Sequence, residues 1–259
     1  MNPLISISDL IYHSWSFFKA DWKKITARNA WLVPVMIVYF VLYFAGFATG
    51  RFWLNAIGLL ILLVGSILVR LHVFHYLLGQ DAPTTTLATQ GKSLSQLFLP
   101  ALLIAIVTGL GILGGSILLL LPGIWFAIAA GFGIFVYLEE GLTGTAAIGR
   151  SMELVKGRWW KTLWRLVIPA IVVQLVIGII SMLTIIVPVI LAAVGGAGAM
   201  MALSEGGSGR LVGASLPILI IAGILFIAAI LVNLFLSLIS MGVIEVIYTK
   251  LFHSLKASR

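Results

Sequence analysis

His72 and His75 stand three residues apart in "RLHVFHYLLG", Arg70 to Gly79. On a helix that spacing puts both imidazoles on one face, where they could share a metal ion or a proton. Glu139 and Glu140 close the run "GIFVYLEEG", and Glu245 lies in "MGVIEVIY" among apolar neighbours. If the three stretches converge, they form a carboxylate–histidine cluster, the donor set of a metal- or proton-dependent membrane site. A lone His-x-x-His lacks the further ligands of a closed site, so His72, His75, Glu139, Glu140 and Glu245 stay candidates and no metal or cofactor is assigned. Each has a plainer reading. Arg70, His72 and His75 can snorkel to a membrane surface, and Glu139 and Glu140 can cap a loop or pair with Arg150. Glu245 is harder to dismiss, because an unpaired carboxylate among apolar side chains costs several kcal/mol. Its expected partner is Arg70, His72 or a backbone amide. No catalytic set is evident elsewhere: the chain has no cysteine, and Gly91-Lys92-Ser93 lacks the preceding glycine and strand of a phosphate-binding loop.

The elements that must position these residues follow from composition. Of 259 residues, 61% are hydrophobic and 9% charged, with a mean hydropathy of +1.18. A soluble domain carries about 25% charged residues. The apolar runs are continuous and do not alternate, which points to an all-α integral membrane protein and away from a barrel. Six spans are expected, at 30–48, 52–78, 97–121, 124–138, 163–194 and 216–248. "LPG" at 121–123 should divide the third from the fourth, and Pro188 should end the membrane part of the fifth early. The glycine-rich stretch 195–215 reads as a mobile outer connection. With the N-terminus inside, fourteen basic residues fall on the inner side, against Arg51 and Arg210 outside. The positive-inside rule then places both termini in the cytoplasm and the chain in the cytoplasmic membrane. Seven acids share that inner face, leaving a surplus of seven positive charges. Anionic membrane lipids are the expected partners of such a face. Nucleic acid is not, because the basic residues flank spans.

Two stretches read as amphipathic helices lying in the inner headgroup region. In 145–157, Ile148, Met152, Val155 and Trp159 share a face, with Arg150, Glu153 and Lys156 off it. Trp159 and Trp160 suit the interface, and Lys161 and Arg165 can reach phosphates. Arg158 belongs to the same basic, indole-rich patch. At the N-terminus, Ser6–Asp9 has capping-box spacing, and Ile7, Ile11, Trp15, Phe18 and Trp22 share a face. "SWSFFKADWKK" from Ser14 aligns with "SMELVKGRWWK" from Ser151 at serine, lysine, tryptophan and lysine. Pro34, Pro100 and Pro169 each open a pair of spans, and Tyr76, Tyr137 and Tyr248 close one. One membrane domain over 1–259, built as three helical hairpins (1–78, 79–141, 142–259), is the expected architecture.

The run "LLLLPGIW…YLEEGLTGTAAIGRSMELVKGRWWKTL" resembles the membrane domain of some bacterial glycerophosphodiester phosphodiesterases and of YciC-like membrane proteins. The matching residues are Leu121, Pro122, Gly123, Glu140, Gly141, Ala147, Ser151, Leu154, Gly157 and Trp160. The ends "LIYHSWSFFKADWKK" and "IEVIYTKLFHSLK" are similar as well. The resemblance implies six helices in the cytoplasmic membrane and no catalysis, since the catalytic barrel of those phosphodiesterases has no counterpart in these residues.

Asn55, Gln174 and Asn233 are the other polar side chains expected within spans, and they read as interhelical hydrogen-bonding groups. "GFATG" at Gly46–Gly50 and "GILGG" at Gly111–Gly115 have the spacing of close helix contacts. The function expected is non-enzymatic, a lipid-interacting or scaffolding role. The rivals are a small transporter or lipid-translocating protein, marked by a polar groove, and a metal- or proton-dependent enzyme, marked by convergence of the inner His/Glu residues.

Overall fold

The computed structural model describes residues 4–81, 89, 91–204 and 209–258. These residues form helices and no strand. In chain order they are α1 (Ile7–Asn29), α2 (Leu32–Thr49), α3 (Trp53–Asp81), α4 (Leu94–Leu118), α5 (Leu120–Ala130), α6 (Gly133–Glu140), α7 (Gly144–Val155), α8 (Trp159–Ser204) and α9 (Gly209–Ala257). Among the described residues, six helical segments are long and apolar enough to cross a membrane: Ile7–Thr49, Trp53–Gln80, Ser95–Ile117, Leu120–Glu140, Trp159–Met201 and Leu216–Ala257. Their surfaces need a non-aqueous cover. In the most apolar stretch of Trp159–Met201 only 6% of residues are buried by protein, and Ile179, Leu183 and Ile190 are all more than half exposed. This is the pattern of a polytopic helical membrane protein.

The helix ends follow local chemistry. Ser6 caps α1, its Oγ accepting from Asp9 N at 3.0 Å. Gly50 and Gly141 end α2 and α6 in the left-handed conformation, at φ 66° and 75°, which a side chain would oppose. The third and fourth segments part at Leu119, which is extended, and not at the Leu-Pro-Gly triplet. Pro122 sits in the first turn of α5, where a missing N–H costs nothing. The fourth segment is itself broken at Gly131–Phe132 into α5 and α6.

Two expectations concern the last two helices. Pro188 does not end the fifth helix, which runs to Ser204, and the helix absorbs it as membrane helices can. The stretch expected to connect the last two spans is therefore helical up to Ser204 and again from Gly209. Residues 205–208 lie outside the described set.

By contacts the chain divides into two compact units, Met1–Ala170 with Gly242–Arg259, and Ile171–Met241. In the second unit, Gln174 Nε2 donates to Ser240 Oγ at 3.0 Å and Asn233 Nδ2 to Thr184 Oγ1 at 3.0 Å. These polar side chains tie helix to helix and line no groove. In the first unit α2 packs against α3, α4 against α5, and α7 against α4, α5 and α6. Glycines allow the closest approaches. A Cβ on Gly65 would come 2.6 Å from Val35, and one on Gly115 would come 2.9 Å from Gly123 N. Gly46 and Gly111 are equally crowded, by Asn55 and Phe126. Gly50 turns the chain and packs against nothing.

Candidate functional site

The core of the first unit is where α3, α6, α7 and the end of α9 meet. Phe132, Phe135 and Phe252 are almost fully buried there, with Phe135 and Phe252 ring centres 5.4 Å apart. The charged residues that the sequence singles out are arranged around this core in three separate groups.

The first is an ion network. Glu139, with a side chain only 4% exposed, receives Lys256 Nζ at 2.7 Å and lies 3.9 Å from His253 Nε2. Glu140 accepts from Arg150 Nε at 3.1 Å and lies 3.8 Å from Lys256. Arg150 also reaches Glu153 at 3.2 Å. The bond to Glu140 pushes the Arg150 guanidinium above its already high range, so it is a fixed cation. Glu139 and Glu140 thus hold the end of α9 and the middle of α7 against α6. Pairing with Arg150 was one sequence reading of these acids. Lys256 and His253 had no sequence signal, because they lie more than a hundred residues away.

The second is a buried pair. Glu245 is 4% exposed and Asn29 fully buried. Asn29 Nδ2 donates to Glu245 Oε2 at 2.8 Å. Neither Arg70 nor His72 is the hydrogen-bond partner. Arg70 is exposed, and reaches Glu245 only through its field. Asn29 escaped notice because it ends α1, next to the first expected span.

The third surrounds α1 and α3. Tyr76 donates to Asp21 Oδ2 at 2.9 Å, Asp21 pairs with Lys24 at 3.0 Å, and the Arg28 guanidinium stacks 3.8 Å over the Tyr76 ring. His72 and Arg28 border a cavity of about 420 Å³ with Trp31, Val35, Gly65, Leu68 and Val69. The candidate cluster therefore does not form: His72 and His75 belong to this third group, Glu139 and Glu140 to the first, and Glu245 to the second. Among the described residues no three His, Cys, Asp or Glu side chains are placed to hold a metal ion.

The two helices expected to lay an apolar stripe in the headgroup region also pack against protein on one face. α7 buries Ala147, Ile148, Ser151, Leu154 and Val155, while Met152 is half-buried. The contact is made by Ser151, whose Oγ donates to Ala129 O at 2.7 Å and accepts from Phe132 N at 3.1 Å. It satisfies the backbone left open where α5 breaks from α6. α1 buries Leu10, Ser14, Phe18, Ile25 and Asn29, leaving Trp15 and Trp22 at 52% and 38% exposure. Both helices are thus built into the fold on one face, and do not merely rest on a surface. Hydrophobicity alone pointed to the bulkier face. The packed face is the one with small or hydroxyl residues, which let another backbone approach.

The shared register of the two stretches extends into geometry. Ser14 and Ser151 are both fully buried. α1 departs from helical geometry at Asp21, and α7 ends before Gly157, which has φ 76°. Beyond the break, Arg28 Nη1 donates to Lys24 O at 3.1 Å, and Arg165 Nη1 to Lys161 O at 3.0 Å.

The basic and indole residues divide into two sets. Arg158 binds the Ser258 hydroxyl and its carbonyl, and Arg165 Nε donates to Ile5 O at 2.6 Å. With Arg150, these arginines tie the chain ends and helices together. Lys156, Trp160 and Lys161 are exposed. Trp159 Nε1 donates to Trp125 O at 3.1 Å, and the two indoles, with Met152, Glu153 and Lys156, border a second cavity of about 410 Å³. Comparison of the chain with protein-family models, curated proteins and solved structures gives no match.

Proposed function

We propose that this protein is a non-catalytic, lipid-interacting or scaffolding protein of the cytoplasmic membrane, with both termini in the cytoplasm. The observation that carries the reading is the grouping at one end of the spans. Charges needed for folding are neutralised internally, as at Glu139–Lys256 and Glu140–Arg150. Lys156, Lys161 and Trp160 stay exposed beside them. Cations and indoles left at the same depth suit the anionic surface of a bilayer. The proposal includes three hairpins of common descent, supported by the paired Ser14/Ser151 and Arg28/Arg165 geometry. It includes the resemblance to the membrane domain of the phosphodiesterase and YciC-like proteins, supported by the buried or turn-forming positions of Ala147, Ser151, Leu154, Gly141 and Gly157.

The test is native mass spectrometry of protein released from nanodiscs of equal phosphatidylglycerol and phosphatidylethanolamine. The wild type should keep phosphatidylglycerol preferentially, and a Lys156→Gln/Lys161→Gln variant should keep fewer copies. Bare wild-type protein, or retention without preference, would refute the reading.

A further inference from the structure

Resting on that lipid reading, we infer that the cavity between α1, α2 and α3 is a discrete binding site for one anionic phospholipid, with Arg28 as its phosphate ligand. The cavity opens where the two-residue break at Ala30–Trp31 separates α1 from α2. Its volume of about 420 Å³ suits a headgroup with the start of one acyl chain, the rest lying in the bilayer. One end is polar, with Arg28 and His72. The other is apolar, with Val35, Gly65 and Leu68. Gly65, Leu68 and His72 are spaced to form one stripe along α3, and Gly65 lets Val35 of α2 close the apolar end. Trp31 at the rim is 68% exposed, and an indole so placed belongs at headgroup depth, where a phosphate sits.

Arg28 is prepared for an anion. Its guanidinium is held flat on Tyr76 at 3.8 Å and tied to Lys24 O at 3.1 Å. Its Nε–H is shielded from water and has no acceptor among the described residues. Arg165 makes the same bond four residues back, yet its Nε–H finds the Ile5 carbonyl at 2.6 Å. The equivalent donor at Arg28 therefore lacks what its counterpart has, and a slight turn of the side chain would offer it to an oxygen in the cavity. The local charges favour an anion. Asp21 accepts from Tyr76 and pairs with Lys24, so its charge is already engaged. A planar guanidinium fork matches a phosphodiester.

The same nanodisc experiment, with variants, decides this. Arg28→Gln should lower the fraction carrying a tightly held phosphatidylglycerol about tenfold, the weight of one charge-assisted bond. Leu68→Trp, which fills the apolar end but keeps the Arg28–Tyr76 stack, should do the same, and covers the case where Arg28→Gln misfolds. Lys92→Gln removes one charge outside the cavity lining and should leave that fraction unchanged. Equal retention by Arg28→Gln or Leu68→Trp and wild type would overturn the site. Loss only in the Lys156/Lys161 variant would overturn it too, while leaving the broader lipid reading intact. Wild-type protein that keeps no lipid would end both.

Discussion

Replacing Asn29 by leucine isolates the energetics of the buried carboxylate. Leucine nearly matches the amide in shape but cannot donate. Glu245, 4% exposed, would lose the Asn29 bond at 2.8 Å, and its other oxygen already has no partner among the described residues. A hydrogen bond to a charged group contributes about 1.5–3 kcal/mol, against about 0.6 kcal/mol for an average interhelical bond in a membrane protein. The expected cost is about 2–3 kcal/mol, because the acceptor stays buried and unsatisfied. Glu245→Gln keeps the shape and an acceptor for Asn29 while removing the charge, so it should cost about 1 kcal/mol or less. The double variant Asn29→Leu/Glu245→Leu removes both partners and should recover at least half of the single-variant loss. Reversible unfolding in mixed dodecylmaltoside–SDS micelles measures these proteins together with Glu245→Leu, which closes the cycle. A coupling energy below about 0.5 kcal/mol would show that the pair is incidental, and the argument that Asn29 exists to satisfy Glu245 would be wrong.

Ser151→Ala should destabilise by about 1–3 kcal/mol in the same assay, since it strips the Phe132 N–H of its acceptor at a buried break; no change would mean that the break repairs itself. Lys256→Met should destabilise more than Lys256→Arg, because only the first removes the positive charge that Lys256 sets against the buried Glu139; equal effects would argue for stem packing as the cause. The absence of native cysteine makes topology directly measurable with an impermeant maleimide. Lys92→Cys should label only from the cytoplasmic side and Arg51→Cys only from outside, and the reverse pattern would invert the assigned orientation. Gly157→Ala should cost about 1–2 kcal/mol, the strain of a side chain at φ 76°, and a neutral result would mean that the α7–α8 turn relaxes.

Much of this protein was decided by sequence alone. Continuous apolar runs without charge require helices that satisfy their own backbone, so six spanning segments were legible, though not how far the last two helices run. So were the Ser6 cap and the glycine contacts at Gly46 and Gly111, because each depends on neighbours in the chain. What tertiary structure decided was pairing. His72, Glu139 and Glu245 fall near the ends of similar spans, and depth alone suggested one cluster. The rotation and crossing of helices sent each to a different neighbour: Arg28 beside His72, Lys256 with Glu139, Asn29 with Glu245. The same physics separates an apolar stripe that can meet lipid from the face that packs on protein. A hydrophobic face marks what avoids water, and in a bilayer lipid covers such a face as well as protein does. Ser14 and Ser151, small enough to admit another backbone, mark the faces that pack.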